Sequence, residues 1–164
     1  IKGPDVLLKV LELLQSRIPE LFVLLTGPSR GFVRQGLTEL GIRYKHVELE
    51  DKHIGKAYHA LDAYVVTSRE EGGPKAVLEA MATGVPLITT RVGQAADLVE
   101  HENNGWVTEL DDYEALAHFV QSALCNAEMI TEMVLNGRRT AEKYSHDALV
   151  ARWSAVMNQY LDPE

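Results

Sequence analysis

Hydrophobic residues follow a helical period at the start of the chain and then form a short continuous run. In the first 18 residues the apolar positions lie three or four apart, as on one face of a helix: Leu7, Val10, Leu11, Leu14 and Ile18. Pro4 and Asp5 suit the first turn of this helix, and Pro19 ends it. The run LFVLLTG over residues 21–27 then predicts a strand buried on both faces.

The same alternation continues toward residue 110. Apolar runs bounded by turn residues predict further strands at residues 43–49, 62–68, 85–91 and 104–110. Helical patterns lie between them, at residues 29–41, 51–61 and 75–83. Gly31 and Gly36 lower the helix propensity of the first of these three segments.

From Asp112 onward the pattern is helical only. It contains two apolar stripes, one formed by Leu116, Phe119, Val120 and Leu124 and one formed by Leu149, Val150, Trp153, Val156, Met157 and Tyr160. Both tryptophans, Trp106 and Trp153, are expected in the core. The pattern as a whole predicts an α/β fold with a Rossmann-like parallel sheet, helices on both faces and C-terminal helices. In such sheets, ligands lie beyond the carboxyl ends of the strands.

The composition narrows the class of protein. A chain of 164 residues suits one domain, and its 46% hydrophobic and 24% charged residues are ordinary for a globular protein. The net charge of −8 argues against a nucleic-acid partner, which would need a basic stripe. No apolar run is long enough for a transmembrane segment. The single cysteine, Cys125, is expected to be a buried thiol and fits a cytoplasmic location.

The segment SREEGGPKAVLEA, residues 68–80, follows the third predicted strand and carries the candidate chemistry. Gly72 and Gly73 lack Cβ atoms, so backbone amides there can approach a ligand closely and take unusual φ values. The φ angle of Pro74 is fixed by its ring at a value that suits the first turn of a helix. The helix that begins near Lys75 points its free amides and the positive end of its dipole toward the same space. This arrangement favours an anion such as phosphate.

Two carboxylates flank this loop. Glu79, one turn into the helix, can accept hydrogen bonds from two neighbouring hydroxyls of a ribose, and Glu71 can accept from a second polyol. Lys75 adds a positive charge at the entrance to this candidate binding site. A ligand with phosphate groups between two polyols would match this site, and a nucleoside diphosphate-sugar is such a ligand. The same residues also have a purely structural interpretation, because acids near helix N-termini stabilise the dipole and Gly-Gly-Pro is common in turns.

The stretch EGGPKAVLEAMATGVPLITTRVG, residues 71–93, resembles the signature of the group 1, or family 4, retaining glycosyltransferases, which have the GT-B fold. Glu71 and Glu79 match the family's two glutamates with seven residues between them, and EAMATGVPLI matches the helix and strand that follow. KGPDVLLKVLELL near the start and HALDAYVVTSREE before the motif extend the similarity over most of the chain.

The resemblance implies a role for each matching position. Glu79 would hold the ribose hydroxyls, and Glu71 would contact the donor sugar or its leaving phosphate as the catalytic residue. The implied donor-binding set is Lys2, Gly72, Gly73, Lys75, Ala76, Val77 and Glu79, in which the backbone from Gly73 to Val77 cradles the diphosphate and Lys2 contacts it. The base would lie against the end of the second strand, at His46, Val47 and Glu48.

The chain departs from the family pattern in several places. Gly73-Pro74 stands where many members have Phe-Gly, so one amide donor is lost, and Gly93, Gln94 and Asp97 stand where members commonly have two glycines and a later acid. The strand and arginine that normally precede the lysine of KG, and the acceptor-binding domain before them, have no counterpart in this sequence. A parallel sheet without that central strand would leave backbone groups of its neighbours unpaired.

The sequence thus predicts that residues 1–164 form the nucleotide-sugar-binding half of a GT-B retaining glycosyltransferase. A hexose-type sugar would pass from a nucleoside diphosphate donor to an acceptor held by a missing N-terminal domain, so this domain alone would be inactive. The family implies no metal or other cofactor, and the six histidines show no metal-ligand spacing. The alternatives are a stand-alone nucleotide- or sugar-binding module and a GT-B epimerase or hydrolase of nucleotide-sugars.

Overall fold

The computed structural model describes residues 1–28, 31–73 and 75–161. Within these ranges the strands lie inside the predicted apolar runs and are shorter than them: β1 (Phe22–Thr26), β2 (Arg43–Val47), β3 (Tyr64–Val66), β4 (Leu87–Thr90) and β5 (Trp106–Thr108). The helices are α1 (Pro4–Gln15), α2 (Gly31–Glu39), α3 (Ile54–Tyr58), α4 (Lys75–Thr83), α5 (Ala95–Leu98), α6 (Tyr113–Cys125), α7 (Ala127–Lys143) and α8 (His146–Leu161).

Two helical segments differ from the prediction. The segment at residues 51–61 was predicted as one helix, but Asp51–His53 is a 3₁₀ turn and α3 ends at Tyr58. Only Ala57 and Tyr58 of α3 are buried, so the segment has too small an apolar face to hold a longer helix. The short helix α5 was not predicted, because four residues are too few for a helical period to show in the sequence.

The strands pair in parallel, as predicted, but they form two sheets. In the first sheet β1 pairs with β2, with Phe22 opposite Arg43. In the second sheet β4 lies between β3 and β5, with Tyr64 opposite Leu87 and Ile88 opposite Trp106. Because all pairs are parallel, the carboxyl ends of the strands within each sheet meet at one edge.

Two apolar clusters cover opposite faces of the second sheet, since alternate residues of its strands point to opposite sides. On one face Ile88 and Trp106 pack against α1 and α6, through Val10, Leu14, Leu116 and Val120. On the other face Leu87 and Val107 pack against α3, α4 and α5, through Tyr58, Val77, Ala80 and Ala95. Helices therefore cover both faces, and the predicted fold class is confirmed.

An apolar groove of about 860 Å³ separates the two sheets. β1 lines one side, Tyr64 and Val65 of β3 line the other, and Val10 and Leu14 of α1 also contribute to its lining. In the part of the chain that the structure describes, no strand pairs with the edges of β1 and β3 next to the groove. The two sheets are therefore separate within the described residues.

The groove explains why one burial prediction is wrong. The run containing β1 was expected to be buried on both faces, but its three central residues are only half-buried and Phe22 is 54% exposed. A strand becomes fully covered only when it has neighbours on both edges and helices on both faces. β1 has a partner strand on one edge alone.

The C-terminal helices account for two further corrections. Trp106 is buried in the core as predicted, but Trp153 on α8 is 65% exposed, because α8 packs on α7 at the periphery and has no buried residue. Cys125 was expected to be buried, but it ends α6 outside the buried face of that helix and is exposed. None of the described helices combines the length and apolarity needed to cross a membrane.

Candidate functional site

Two loops lie side by side at the carboxyl ends of β3 and β4. The carbonyl oxygen of Gly72 accepts a hydrogen bond from the amide of Gln94 at 3.2 Å. Gly93 has a φ of 50°, and a Cβ atom built there would overlap the carbonyl oxygen of Glu71. Only glycine fits this position without moving the neighbouring loop. The loop after β4 therefore supports the backbone that carries Glu71.

Glu71 is held by one lysine and one buried hydroxyl. Its Oε1 atom accepts from Lys2 Nζ at 2.6 Å and from the Ser68 hydroxyl at 2.7 Å. The Glu71 side chain is 16% exposed. Burial by itself raises the pKa of Glu71, but the hydrogen bonds from Lys2 and Ser68 and the charge of Lys2 outweigh this effect and lower it. Glu71 is therefore a carboxylate at neutral pH.

The backbone before α1 places Lys2 next to Glu71. Gly3 is in the left-handed region, with a φ of 59°, and precedes Pro4 at the start of α1. The buried Thr67 hydroxyl lies 3.2 Å from the carbonyl oxygen of Lys2 and 2.9 Å from that of Gly3. The amide of Arg69 donates to the carbonyl oxygen of Ile1 at 2.6 Å. The chain start is thus fixed along the end of β3.

Glu79 also has one lysine and one buried hydroxyl as partners. Lys75 Nζ lies 3.3 Å from Glu79 Oε1, one helical turn away on α4. The Tyr58 hydroxyl donates to Glu79 Oε2 at 3.1 Å. The Glu79 side chain is 26% exposed, so it is reachable from solvent. Val77 and Ala80 of α4 are fully buried and hold the helix in place.

The amino end of α4 lies between the two glutamates in sequence. The amide of Lys75 donates to the carbonyl oxygen of Gly73 at 2.9 Å, so it is already used within the turn. The first-turn amides of Ala76 and Val77 have no acceptor one turn earlier inside the helix. The predicted role of Pro74 falls on a residue outside those described.

The two glycines of this loop differ in one respect from the prediction. Unusual φ values were expected, but neither Gly72 nor Gly73 is in the left-handed region. The glycine with a left-handed backbone in this region is Gly93, in the neighbouring loop. A Cβ atom at Gly72 would meet nothing within 4 Å, and one at Gly73 would meet only Gln94, at 3.8 Å. Their openness leaves space for a ligand.

The predicted base-binding residues lie in the other sheet. His46 and Val47 end β2 and Glu48 follows it, and His46 Nε2 is 2.7 Å from the carbonyl oxygen of Gly27. Val47 lines the groove between the sheets, and Glu48 is exposed. Among the described residues, no hydrogen bond or ion pair joins these three to Glu71 or Glu79.

The structure thus brings Lys2 to Glu71 and Lys75 to Glu79, and it adds two residues that sequence reasoning missed. Ser68 could have been found, because it immediately ends the strand before the loop. Tyr58 carried no comparable signal, since it is 21 residues from Glu79 and meets it only through the packing of α3 on α4. Asp97 is exposed on α5. The described residues contain no group of three potential metal ligands.

The arrangement can bind a ligand that carries hydroxyls at two ends and negative charge in the middle. A carboxylate offers about four lone-pair positions, and the observed partners leave several of them on each glutamate for ligand hydroxyls. Lys2 and Lys75 are 53% and 75% exposed at their side chains, so both can reach a bound anion. The start of α4 adds its amides and the positive end of its dipole.

Comparison with known proteins identifies the family. A sequence profile described as glycosyl transferases group 1 matches residues 1–140. The chain therefore belongs to the glycosyl transferases group 1 family, as its resemblance predicted. A protein of Haemophilus influenzae named as an uncharacterized glycosyltransferase is 27% identical over 165 residues, which cover 95% of this chain and 45% of that protein.

Solved structures show the same fold. HepE from Anabaena, crystallised in complex with UDP, superposes with a TM-score of 0.82 at 22% identity, covering 98% of this chain and 46% of HepE. The C-terminal domain of the group 1 family protein LpcC from Francisella tularensis gives a TM-score of 0.78 at 20% identity, covering 88% of this chain and 80% of that domain. The chain spans less than half the length of the Haemophilus protein and of HepE.

Proposed function

We propose that this chain is the donor-binding half of a retaining glycosyltransferase that uses a nucleoside diphosphate-sugar. The observation that carries the proposal is the pair of partly exposed carboxylates, Glu71 and Glu79, on either side of an open glycine loop and a helix start. Membership of the glycosyltransferase family supports the reaction class. The binding of UDP by HepE, which has the same fold, supports the class of donor.

In the proposed complex each element of the site contacts one part of the donor. Glu79 accepts from the 2′ and 3′ hydroxyls of the ribose, and Glu71 contacts the transferred hexose or the phosphate that leaves it. The start of α4, from Gly73 to Val77, faces the diphosphate together with Lys2 and Lys75. The base lies toward His46, Val47 and Glu48.

In the transfer, the nucleophilic atom of the acceptor forms a bond to the sugar C1 atom and gives its proton to the leaving diphosphate. The bond between C1 and the diphosphate oxygen breaks, and its electron pair stays with that oxygen. Negative charge therefore grows on that oxygen in the transition state, where oriented positive groups are most effective. In this proposal Lys2, Lys75 and the α4 amides supply that positive potential, and donor binding uses no metal ion. The reaction takes place in the cytoplasm, a location that the single cysteine favours.

The acceptor belongs to a separate N-terminal half in this proposal. Relatives such as the Haemophilus protein are more than twice as long as the matched region. Two apolar surfaces of this chain are also suited to further packing: the groove beside β1 and the exposed stripe of α8 that includes Trp153 and Met157. Both would be buried more completely against an additional domain, because exposed apolar area favours association.

The experiment that tests the proposal measures whether Glu79 recognises the ribose. UDP and 2′-deoxy-UDP are titrated by calorimetry into the unmodified protein and into Glu79→Ala. Charged hydrogen bonds contribute about 1.5–3 kcal/mol each, so Glu79→Ala should weaken UDP binding roughly ten- to a hundredfold. The preference for UDP over 2′-deoxy-UDP should largely disappear as well.

Glu70→Ala is the matched control, because it removes an exposed acid next to the same loop. It should change UDP affinity by less than about threefold. Glu71→Ala should affect UDP little and UDP-glucose more. If Glu79→Ala keeps the full preference for the ribose, the assignment of Glu79 is wrong and the proposed donor orientation fails with it.

A further inference from the structure

Tyr58 lies behind Glu79, on the side away from solvent. It is the last residue of α3, it is 5% exposed, and it belongs to the apolar cluster that includes Val77 and Ala80 of α4. Its ring packs edge-on against Tyr64, with 5.1 Å between the ring centroids. Its position is therefore fixed by core packing, independently of any ligand.

The Tyr58 hydroxyl has one proton to donate, and its neighbours are the Tyr64 side chain, Glu79 and a backbone carbonyl. Glu79 Oε2 is 3.1 Å away, and the carbonyl oxygen of Ala76 is 3.5 Å away. The carboxylate is both nearer and charged, and hydrogen bonds to charged acceptors are the stronger ones. Burial, and then the neighbouring Tyr64 and Glu79, raise the pKa of Tyr58, so the hydroxyl remains protonated at neutral pH.

The other partner of Glu79 cannot fix its orientation to the same degree. Lys75 is an exposed residue one turn away on the same helix, and its side chain is 75% exposed. Such pairs on a helix surface contribute only about 0.2–0.5 kcal/mol and are weakened by salt. Lys75 is also free to turn toward a bound anion, whereas the Tyr58 hydroxyl remains behind Glu79.

We propose that Tyr58 is a positioning residue for ribose recognition: its buried hydroxyl holds Oε2 of Glu79 so that the carboxylate accepts both ribose hydroxyls at once. A glutamate has three rotatable side-chain bonds, and two simultaneous hydrogen bonds to a rigid diol require all three to be fixed. The contact with Tyr58 fixes them before the ligand arrives. It occupies one of about four lone-pair positions, which leaves the others for the ligand. The inference rests on the proposed role of Glu79.

The test compares Tyr58→Phe, Glu79→Ala and the double variant with UDP and 2′-deoxy-UDP as probes. Tyr58→Phe keeps the buried ring and removes only the hydroxyl. We expect it to weaken UDP binding about two- to tenfold, as for the loss of one hydrogen bond, and to lower the preference for UDP over 2′-deoxy-UDP. In the Glu79→Ala background the same change should have no further effect, because the two residues act as a unit.

Tyr113→Phe is the matched control. It removes a tyrosine hydroxyl at the exposed start of α6, where no hydrogen bond to Tyr58 or Glu79 is found among the described residues. It should leave the preference for the ribose unchanged. If Tyr58→Phe does not fold, replacement of Tyr58 by 3-fluorotyrosine provides the second measurement. This residue keeps the ring and makes the hydroxyl a stronger donor, so the preference should rise.

The outcomes separate this inference from the proposed function. If Glu79→Ala loses the ribose preference and Tyr58→Phe or 3-fluorotyrosine leaves it unchanged, Tyr58 is not a positioning residue and the proposed function stands. If Tyr58→Phe weakens both nucleotides equally, and does so also in the Glu79→Ala background, its role is only structural and the inference is overturned. If Glu79→Ala itself keeps the preference, both fail.

Discussion

Arg69 connects three parts of the fold near the candidate site. Removing one of its partners should lower the free energy of unfolding by an amount that depends on pH. Its guanidinium donates to both carboxylate oxygens of Asp5, at 2.9 and 2.6 Å, and its Nε atom donates to Asp111 at 2.7 Å. Asp5 lies in the first turn of α1, three residues after Lys2. Asp5→Asn preserves the shape of the side chain and removes its charge.

The expected magnitude follows from the pKa of Asp5. The hydrogen bonds from Arg69 lower this pKa from 3.8 to about 2, against a smaller opposing effect of burial. Taken in full, that change corresponds to about 2.4 kcal/mol of stability. The Asp5 side chain is 55% exposed, however, and exposed ion pairs are screened by solvent. We therefore expect a loss of about 1 kcal/mol for Asp5→Asn at pH 7.

Urea unfolding and thermal melting across a range of pH provide the assay. Because the pKa of Asp5 is lower in the folded protein, its contribution is present in full above pH 3.8 and is lost as the pH falls from 3.8 toward 2. At pH 7 the variant should melt about 2–4 °C below the unmodified protein. The difference should hold to about pH 5 and shrink toward pH 3.

Glu12→Gln is the matched control on the same helix, where Glu12 pairs with Lys9 at the surface. It should change the free energy of unfolding by no more than about 0.5 kcal/mol. The reasoning is refuted if Asp5→Asn is as stable as the unmodified protein at pH 7. It is also refuted if the destabilisation is the same at pH 3 as at pH 7.

Two further predictions concern the loop and the reaction. Gly93→Ala should displace the backbone of Glu71 and weaken UDP-glucose binding at least tenfold. Gly72→Ala, which adds a Cβ atom in open space, should leave the fold intact. Equal melting temperatures for both variants would contradict this. Because the proposed function places the acceptor on a separate half, the 164-residue chain alone should not transfer sugar to an acceptor. An acceptor-dependent product detected by mass spectrometry would contradict this.

Much of the fold could be read from local patterns. The helix α1, the strands within the apolar runs and the helix that follows Gly72-Gly73 all appear where residue periodicity predicts them. The position of the candidate loop also followed, because a segment that leaves a parallel strand must lie at the carboxyl edge of its sheet. Local sequence was sufficient here because each of these features depends on neighbours a few residues apart.

Burial at the edges of the fold could not be predicted in this way. β1 and α8 both have strongly apolar sequences, but Phe22 is 54% exposed and Trp153 is 65% exposed. An apolar pattern shows which face could be buried, whereas actual burial requires another element at that face. For β1 the described structure has an open groove there, and α8 packs on α7 without burying any of its described residues.

The sequence by itself determined the alternation of strands and helices, the placement of Glu71 and Glu79 on either side of a helix start, and the family resemblance. The tertiary structure decided which side chains hold those glutamates. Lys2 and Glu71 are 69 residues apart and Tyr58 and Glu79 are 21 apart, and each pair forms only when separate elements pack together. Such contacts leave no periodic signal in the sequence, because they depend on the three-dimensional path of the chain between the two partners.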